Sequence, residues 1–250
     1  MNLPANEATQ FDPAAADQME KIISDLGQMY HERNQALQEV ARAHHEALFL
    51  LALAAEYKDD DTGVHIVRIG FMAEALALLM GQPKHYAQLL RKAAPMHDIG
   101  KIGIPDNVLK KPGSLTPEER VIMNRHPVIG ADILGKSRIQ LFQMASEIAL
   151  THHERWDGQG YPQQLAGVAI PLSGRIVTIV DFYDALTMNR VYRPAFSHEK
   201  AMQMLMAESG KAFDPAIVDC FMRNAMAIAA LRERITVRRM TFADLVQDMQ

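Results

Sequence analysis

Hydrophobic positions recur at alternating steps of three and four residues from Met19 to Tyr57. This spacing is a heptad pattern with one narrow apolar stripe, and it predicts a single long helix. Such a helix is not stable alone in water, because its stripe must be covered by a partner. We therefore expect a helical stalk over 17–56, either paired in a parallel homodimer or packed along its own domain.

The pattern after the stalk predicts further helices and no sheet. Residues 64–81 are apolar nearly all round and indicate a buried helix. A capping box begins at Thr116, and the Gly- and Pro-rich stretch 157–174 is typical of a loop. We predict an all-α fold, a helical bundle with a long N-terminal helix.

The same pattern divides the chain into three parts. Residues 1–16 have no periodicity and are expected to form a flexible tail. The stalk over 17–56 follows, and 57–250 is expected to form one helical domain that includes the C-terminal helices.

Composition and charge exclude several functions. The net charge of −4 lacks the basic excess that binding to a nucleic acid polymer requires. No apolar run is long enough to cross a membrane, so we expect no membrane association. Cys220 is the single cysteine, which excludes an intramolecular disulfide and indicates a reducing compartment. We expect a cytoplasmic protein.

Histidine and aspartate residues stand on several separate predicted helices. Burying an imidazole or a carboxylate costs several kcal/mol unless the group is paired or binds a metal. One shared metal centre would satisfy all of them together. The candidate ligands are His65, His97, Asp98, His126, His152, His153 and Asp181.

The adjacent pairs among these ligands indicate more than one ion. Neighbouring residues on a helix point about 100° apart, so we expect His152 and His153 to serve different ions. His97 and Asp98 follow the same logic, and the two oxygens of Asp98 can bridge two ions. Nitrogen and oxygen ligands favour divalent transition metals such as iron or manganese, and leave nickel and zinc open.

These residues and their spacing resemble the HD-GYP family, cyclic di-GMP phosphodiesterases of the HD superfamily of metal-dependent phosphohydrolases. The resemblance runs from about Tyr57 to Phe221. It is carried by DTGVHIVR, AAPMHDIGKIGIPD, KPGSLTPEER, MNRHP, HHERWDGQGYP and RVYRP. It implies an HD-type helical bundle, makes 57–250 the HD-GYP catalytic domain, and implies the metal ligands named above.

The resemblance also implies roles for further residues. Asp98 would bridge the metals, and Lys101 would contact the scissile phosphate. Arg190 and Arg193 resemble a basic pair that grips the substrate phosphates. Gly160 and Tyr161 resemble residues that line the guanine and phosphate pocket.

The implied reaction is hydrolysis of cyclic di-GMP to pGpG, with GMP as a possible further product. A hydroxide bridging the metals would attack the phosphorus. Two alternatives remain: hydrolysis of another cyclic dinucleotide, cyclic GMP-AMP, and a metal-loaded cyclic dinucleotide receptor of low activity.

Two further carboxylates concern the orientation of a ligand and the number of ions. Asp184, one turn beyond Asp181, is expected to orient a ligand. Family members with a third metal carry Glu four residues before the first histidine, whereas this chain has Asp61 before His65. Asp reaches one methylene less, so two and three ions both remain open.

Overall fold

The computed structural model describes residues 13–58, 63–189, 194–238, 240 and 244–245. The all-α prediction is confirmed, because these ranges contain helices and no strand. The chain divides into two compact units, Met1–His44 and His45–Gln250. The helices are α1 (Pro13–Lys58), α2 (Val64–Leu79), α3 (Lys84–Ala93), α4 (Asp106–Leu109), α5 (Pro117–Met123), α6 (His126–Leu134), α7 (Gln140–Thr151), α8 (Leu172–Thr187), α9 (His198–Ala207), α10 (Pro215–Arg223) and α11 (Ala225–Arg238). Short 3-10 turns occupy Ala94–Met96, Ile99–Gly103 and Gly167–Ala169.

Helix α1 begins at Pro13, inside the segment 1–16 that was expected to be a tail. Proline is well suited to a first helical position, and the alanines at 14–16 favour helix. The apolar stripe is exposed along the first unit, with Ile22, Leu26 and Met29 about half or more exposed.

The last turns of α1 belong to the second unit. Phe49, Ala52 and Ala55 are buried there. This unit therefore begins at His45, before the boundary expected at residue 57. The difference arises because these small and apolar residues pack as core rather than as part of the stalk.

Helix α2 lies at the centre of the second unit, as its apolar sequence predicts. Ile66, Ile69 and Met72 are fully buried, and α2 packs against α3, α8 and α11. Helix α7 packs against α3, α6 and α8. The ends of α2, α6, α7 and α8 are thereby brought to one region of the bundle.

The capping box predicted at Thr116 is present, and Asp214 also caps a helix. Thr116 accepts a hydrogen bond from the backbone N–H of Glu119, whose side chain accepts one from the Thr116 backbone N–H. Asp214 caps α10 through the backbone N–H of Ala216. The predicted loop ends slightly early, because Pro171 allows α8 to begin at Leu172.

Among the described helices, none combines the length and the apolar character that crossing a bilayer requires.

Candidate metal centre

The fold brings the seven predicted ligand residues into two neighbouring groups. Within each group, every side chain offers one ligand atom, and these atoms lie within 4.8 Å of one another. The first group is His65, His97 and Asp181, and the second is Asp98, His126, His152 and His153.

Asp98 lies between the two groups. Its Oδ1 is 3.2 Å from His126 Nε2 and 3.5 Å from His152 Nε2. Its Oδ2 is 3.3 Å from Nε2 of His97, which belongs to the other group. The carboxylate therefore presents one oxygen to each group, the arrangement that bridging requires.

Close packing fixes the turn that carries His97 and Asp98. This turn continues into Ile99–Gly103, which packs against α6. A Cβ atom at Gly100 would lie 1.9 Å from the carbonyl oxygen of His126. Glycine is thus required in the HDIGK motif, because the backbone of α6 occupies the space of a side chain.

Three of the histidines make the same kind of local hydrogen bond to the main chain. The Nδ1 atoms of His97, His126 and His152 lie 3.1, 2.8 and 2.9 Å from the carbonyl oxygens of Ala94, Met123 and Ala149, in each case three residues earlier. A carbonyl oxygen can only accept, so Nδ1 carries the hydrogen. Each Nε2 is left with its lone pair, the form in which imidazole binds a metal.

The residues fit a metal ion. Among the described residues, Nε2 of His97, His126 and His152 and Oδ1 of Asp98 are buried and make no hydrogen bond. Buried polar atoms without a partner are rare and costly. All four atoms point into the centre, so bound cations would satisfy them together.

His152 and His153 both fall in the second group of ligand residues, and their binding to different ions stays a prediction. Helix α7 ends at Thr151, and His152 follows as its C-cap residue with helical backbone angles. The two rings lie 4.1 Å apart between centroids, tilted by 44°.

The ligand residues differ in the direction in which their pKa values are shifted. Burial lowers the pKa of His65, but hydrogen bonds to Asp181 and Asp184 outweigh it and raise that pKa well above its ordinary value. Burial, aided by the neighbouring His152, holds the pKa of His153 well below its ordinary value. Burial opposes ionisation of Asp98, yet Lys101 holds the pKa of its carboxyl well below the usual range. His65 therefore takes up a proton more readily than His153 does.

Asp184 forms a hydrogen bond with the His65 ring. Its Oδ2 accepts from His65 Nδ1 at 2.8 Å, and Nε2 of the same ring faces Asp181 at 3.4 Å. Arg68 also donates to both oxygens of Asp184. Sequence reasoning missed Arg68, although it stands in the same motif, three residues after His65.

The residues predicted to contact substrate that fall in the described ranges lie at the edge of the centre. Lys101 Nζ is 2.7 Å from Asp98 Oδ2. The ring of Tyr161 stacks on His153 with centroids 4.8 Å apart. Gly160 is buried against Glu154, whose Cα lies 2.6 Å from where a Cβ would stand.

Glu154 is a second residue that sequence reasoning missed. It is 2% exposed, and its two oxygens accept from the backbone N–H groups of Gln163 and Leu165 at 2.6 and 3.0 Å. It therefore holds the loop that carries Gly160 and Tyr161. The sequence signal for Glu154 was its position directly after His152 and His153, because a residue next to two ligands of a buried centre is itself expected to be buried.

Three predicted site residues, Asp61, Arg190 and Arg193, lie outside the described residues. Their roles stay predictions.

Fold and ligand set together define a metal-binding helical protein of the HD type. Residues 17–217 match the family model described as HD domain. The chain belongs to this family.

Relatives extend the comparison. A Vibrio cholerae protein named cyclic di-GMP phosphodiesterase is 45% identical, over 86% of this chain and 47% of the relative. Another from the same organism, named 3'3'-cGAMP-specific phosphodiesterase 2, is 42% identical, over 75% of this chain and 36% of the relative. The chain thus spans about half the length, or less, of these curated relatives.

A solved structure shares the fold. It is the crystal structure of a cyclic GMP-AMP specific phosphodiesterase of Vibrio cholerae. It matches with a TM-score of 0.55 at 20% identity, over 77% of this chain and 53% of that chain.

The Glu154→Gln variant tests the anchoring of the loop. Glutamine keeps one acceptor oxygen but turns an NH2 group toward the other backbone N–H, so one charge-assisted hydrogen bond is lost. We expect the free energy of unfolding to fall by about 1–3 kcal/mol. Hydrogen exchange of the Gln163 and Leu165 amides should become faster, while α8 stays protected.

Glu208→Gln is the matched control, because that carboxylate lies on the surface, 3.6 Å from Arg155. Unchanged exchange at both amides in Glu154→Gln would contradict the anchoring role.

Proposed function

We propose that the chain is a metal-dependent phosphodiesterase that hydrolyses cyclic di-GMP to linear pGpG, with GMP as a further product. The observation that carries this proposal is the pair of ligand groups joined by Asp98. A two-ion site of this kind suits displacement at phosphorus. The names of the relatives support the cyclic dinucleotide as substrate.

We infer that each group would hold one divalent ion, and that the ions are iron or manganese. The ligands are imidazole nitrogens and carboxylate oxygens with no thiolate, which these metals accept. When bound, such ions supply an activated water and polarise a phosphate oxygen. A third ion through Asp61 stays a prediction.

Lys101 supplies positive charge beside the ligand groups. Its side chain is 20% exposed, so the ammonium lies at the boundary between the buried ligands and solvent. We infer that it contacts the scissile phosphate, since a net-acidic protein needs local positive charge to bind a dianion. We infer that Tyr161, whose ring stacks on His153, contacts a guanine base beside that phosphate.

Cyclic GMP-AMP is the second candidate substrate, favoured by the relative named for it at 42% identity. A low-activity receptor is the third alternative, and the complete ligand set argues against it. The test is product chromatography on both dinucleotides, using protein loaded with Fe²⁺ or Mn²⁺ without oxygen. Full metal content with no hydrolysis of either substrate would favour the receptor.

We propose His45–Gln250 as the catalytic unit, which adds the last turns of α1 to the predicted domain 57–250. We also propose that the chain forms a homodimer through α1, whose apolar stripe is exposed. A location in the cytoplasm stays a prediction from the single cysteine.

Asp98→Ala should remove metal binding and turnover together, because this carboxylate faces both ligand groups. Metal content by mass spectrometry and hydrolysis of cyclic di-GMP are the two measurements. Asp132→Ala is the control, since this aspartate is exposed on α6. Unchanged metal content in Asp98→Ala would contradict the assignment.

Arg190→Ala and Arg193→Ala should raise KM about tenfold or more and lower kcat less, since a clamp on substrate phosphates acts through binding. Metal content should not change. Steady-state kinetics measure both constants. Arg138→Ala is the control, because Arg138 is exposed. Loss of metal in either variant would assign these arginines to the structure rather than to substrate.

The dimer is tested with the full chain by light scattering. Leu26→Glu with Met29→Glu places charges in the apolar stripe and should convert a dimer into a monomer. Ser24→Glu adds a charge on the same exposed helix away from the stripe and should leave the mass unchanged. Equal masses for wild type and the double variant would leave α1 without a role in association.

A further inference from the structure

Arg232 lies on α11, beyond residue 217 where the family match ends, and its side chain reaches Asp184. Its Nε donates to Asp184 Oδ1 at 2.7 Å, and its Nη2 donates to the carbonyl oxygen of Thr187 at 2.9 Å. The side chain is 13% exposed, so both hydrogen bonds lie largely out of water.

The Asp184 carboxylate is held by four donors, two on each oxygen. Oδ1 accepts from Nε of both Arg68 and Arg232. Oδ2 accepts from Arg68 Nη2 and from His65 Nδ1. Because Asp184 is fully buried, its position depends on these donors, and it in turn sets the plane of the His65 ring.

The two arginines are not equivalent. Arg68 stands on α2 with His65, so it moves with the ring that Asp184 orients. Arg232 comes from another helix and also binds Thr187, the last residue of α8. Helix α8 carries Asp181 and Asp184, so Arg232 fixes both the orienting carboxylate and the helix of a ligand.

We propose that Arg232 is a positioning residue that holds His65 and Asp181 in the geometry for binding a divalent cation. It acts through Asp184 and the end of α8. This inference rests on the metal centre of the proposed function. The inference predicts different behaviour for the two ligand groups. The group of His65, His97 and Asp181 depends on Arg232, and the second group does not.

Charge and position predict opposite effects of removing this arginine. A guanidinium close to a cation site repels the cation, so loss of its charge alone would tighten binding. Loss of positioning weakens binding. The direction of the change therefore separates the two roles.

The test is calorimetric titration of the metal-free full chain with Mn²⁺. Arg232→Met keeps the aliphatic bulk and removes all donors, while Arg232→Lys keeps the charge without the planar fork. Arg234→Met is the matched control, an exposed arginine on the same helix. Circular dichroism checks folding, and Arg232→Lys carries the test if Arg232→Met does not fold.

We expect Arg232→Met and Arg232→Lys to weaken one Mn²⁺ site about 10–100-fold and to leave the other unchanged. Unchanged affinity, tighter binding or equal weakening of both sites would overturn the inference. Wild-type protein that binds no Mn²⁺ would overturn the inference and the metal centre together. Wild-type protein with the expected Mn²⁺ sites but no hydrolysis would overturn only the proposed function, because the readout here is binding.

Discussion

In four of the ligand histidines, a hydrogen bond at Nδ1 fixes the ring and so decides where Nε2 points. The geometry of the metal centre depends on these hydrogen bonds. In His97, His126 and His152 the acceptor is the carbonyl oxygen three residues earlier. These histidines stand where a helix or turn begins or ends, so that carbonyl is free of a helical partner or shared. For these three histidines the bundle therefore supplies ligand atoms by bringing the ends of helices and turns together.

Burial then determines what else the centre requires. Asp184 is fully buried, and a charge there is tolerated only with donors around both oxygens. Glu154 presents the same problem in the loop, and its two oxygens are satisfied by backbone N–H groups. In both cases the buried carboxylate must be hydrogen-bonded on both oxygens, and these hydrogen bonds fix the structure around it. One fixes an imidazole ring and the other fixes the loop of Tyr161.

The sequence predicts the helical class and the helix caps, because both depend on nearby residues. The apolar character of α2 and the capping box at Thr116 are local patterns. The grouping of His152 with His153 does not follow from the sequence, because the group also depends on Asp98 and His126 from other segments. Arg232 could not be predicted, because it pairs with a residue 48 positions away and no periodicity links the two.

The source of each orienting acceptor has a consequence for how this centre evolves. A main-chain carbonyl is present whatever side chain stands at Ala94, Met123 or Ala149, so the acceptors of three imidazoles do not depend on the identity of those residues. Among the described imidazoles of the centre with a hydrogen-bonded Nδ1, His65 relies on a side-chain acceptor, and a single nucleotide change at Asp184 can remove it. Mutational robustness is thus unequal across the centre, and loss of an ion during divergence should begin at the group that contains His65.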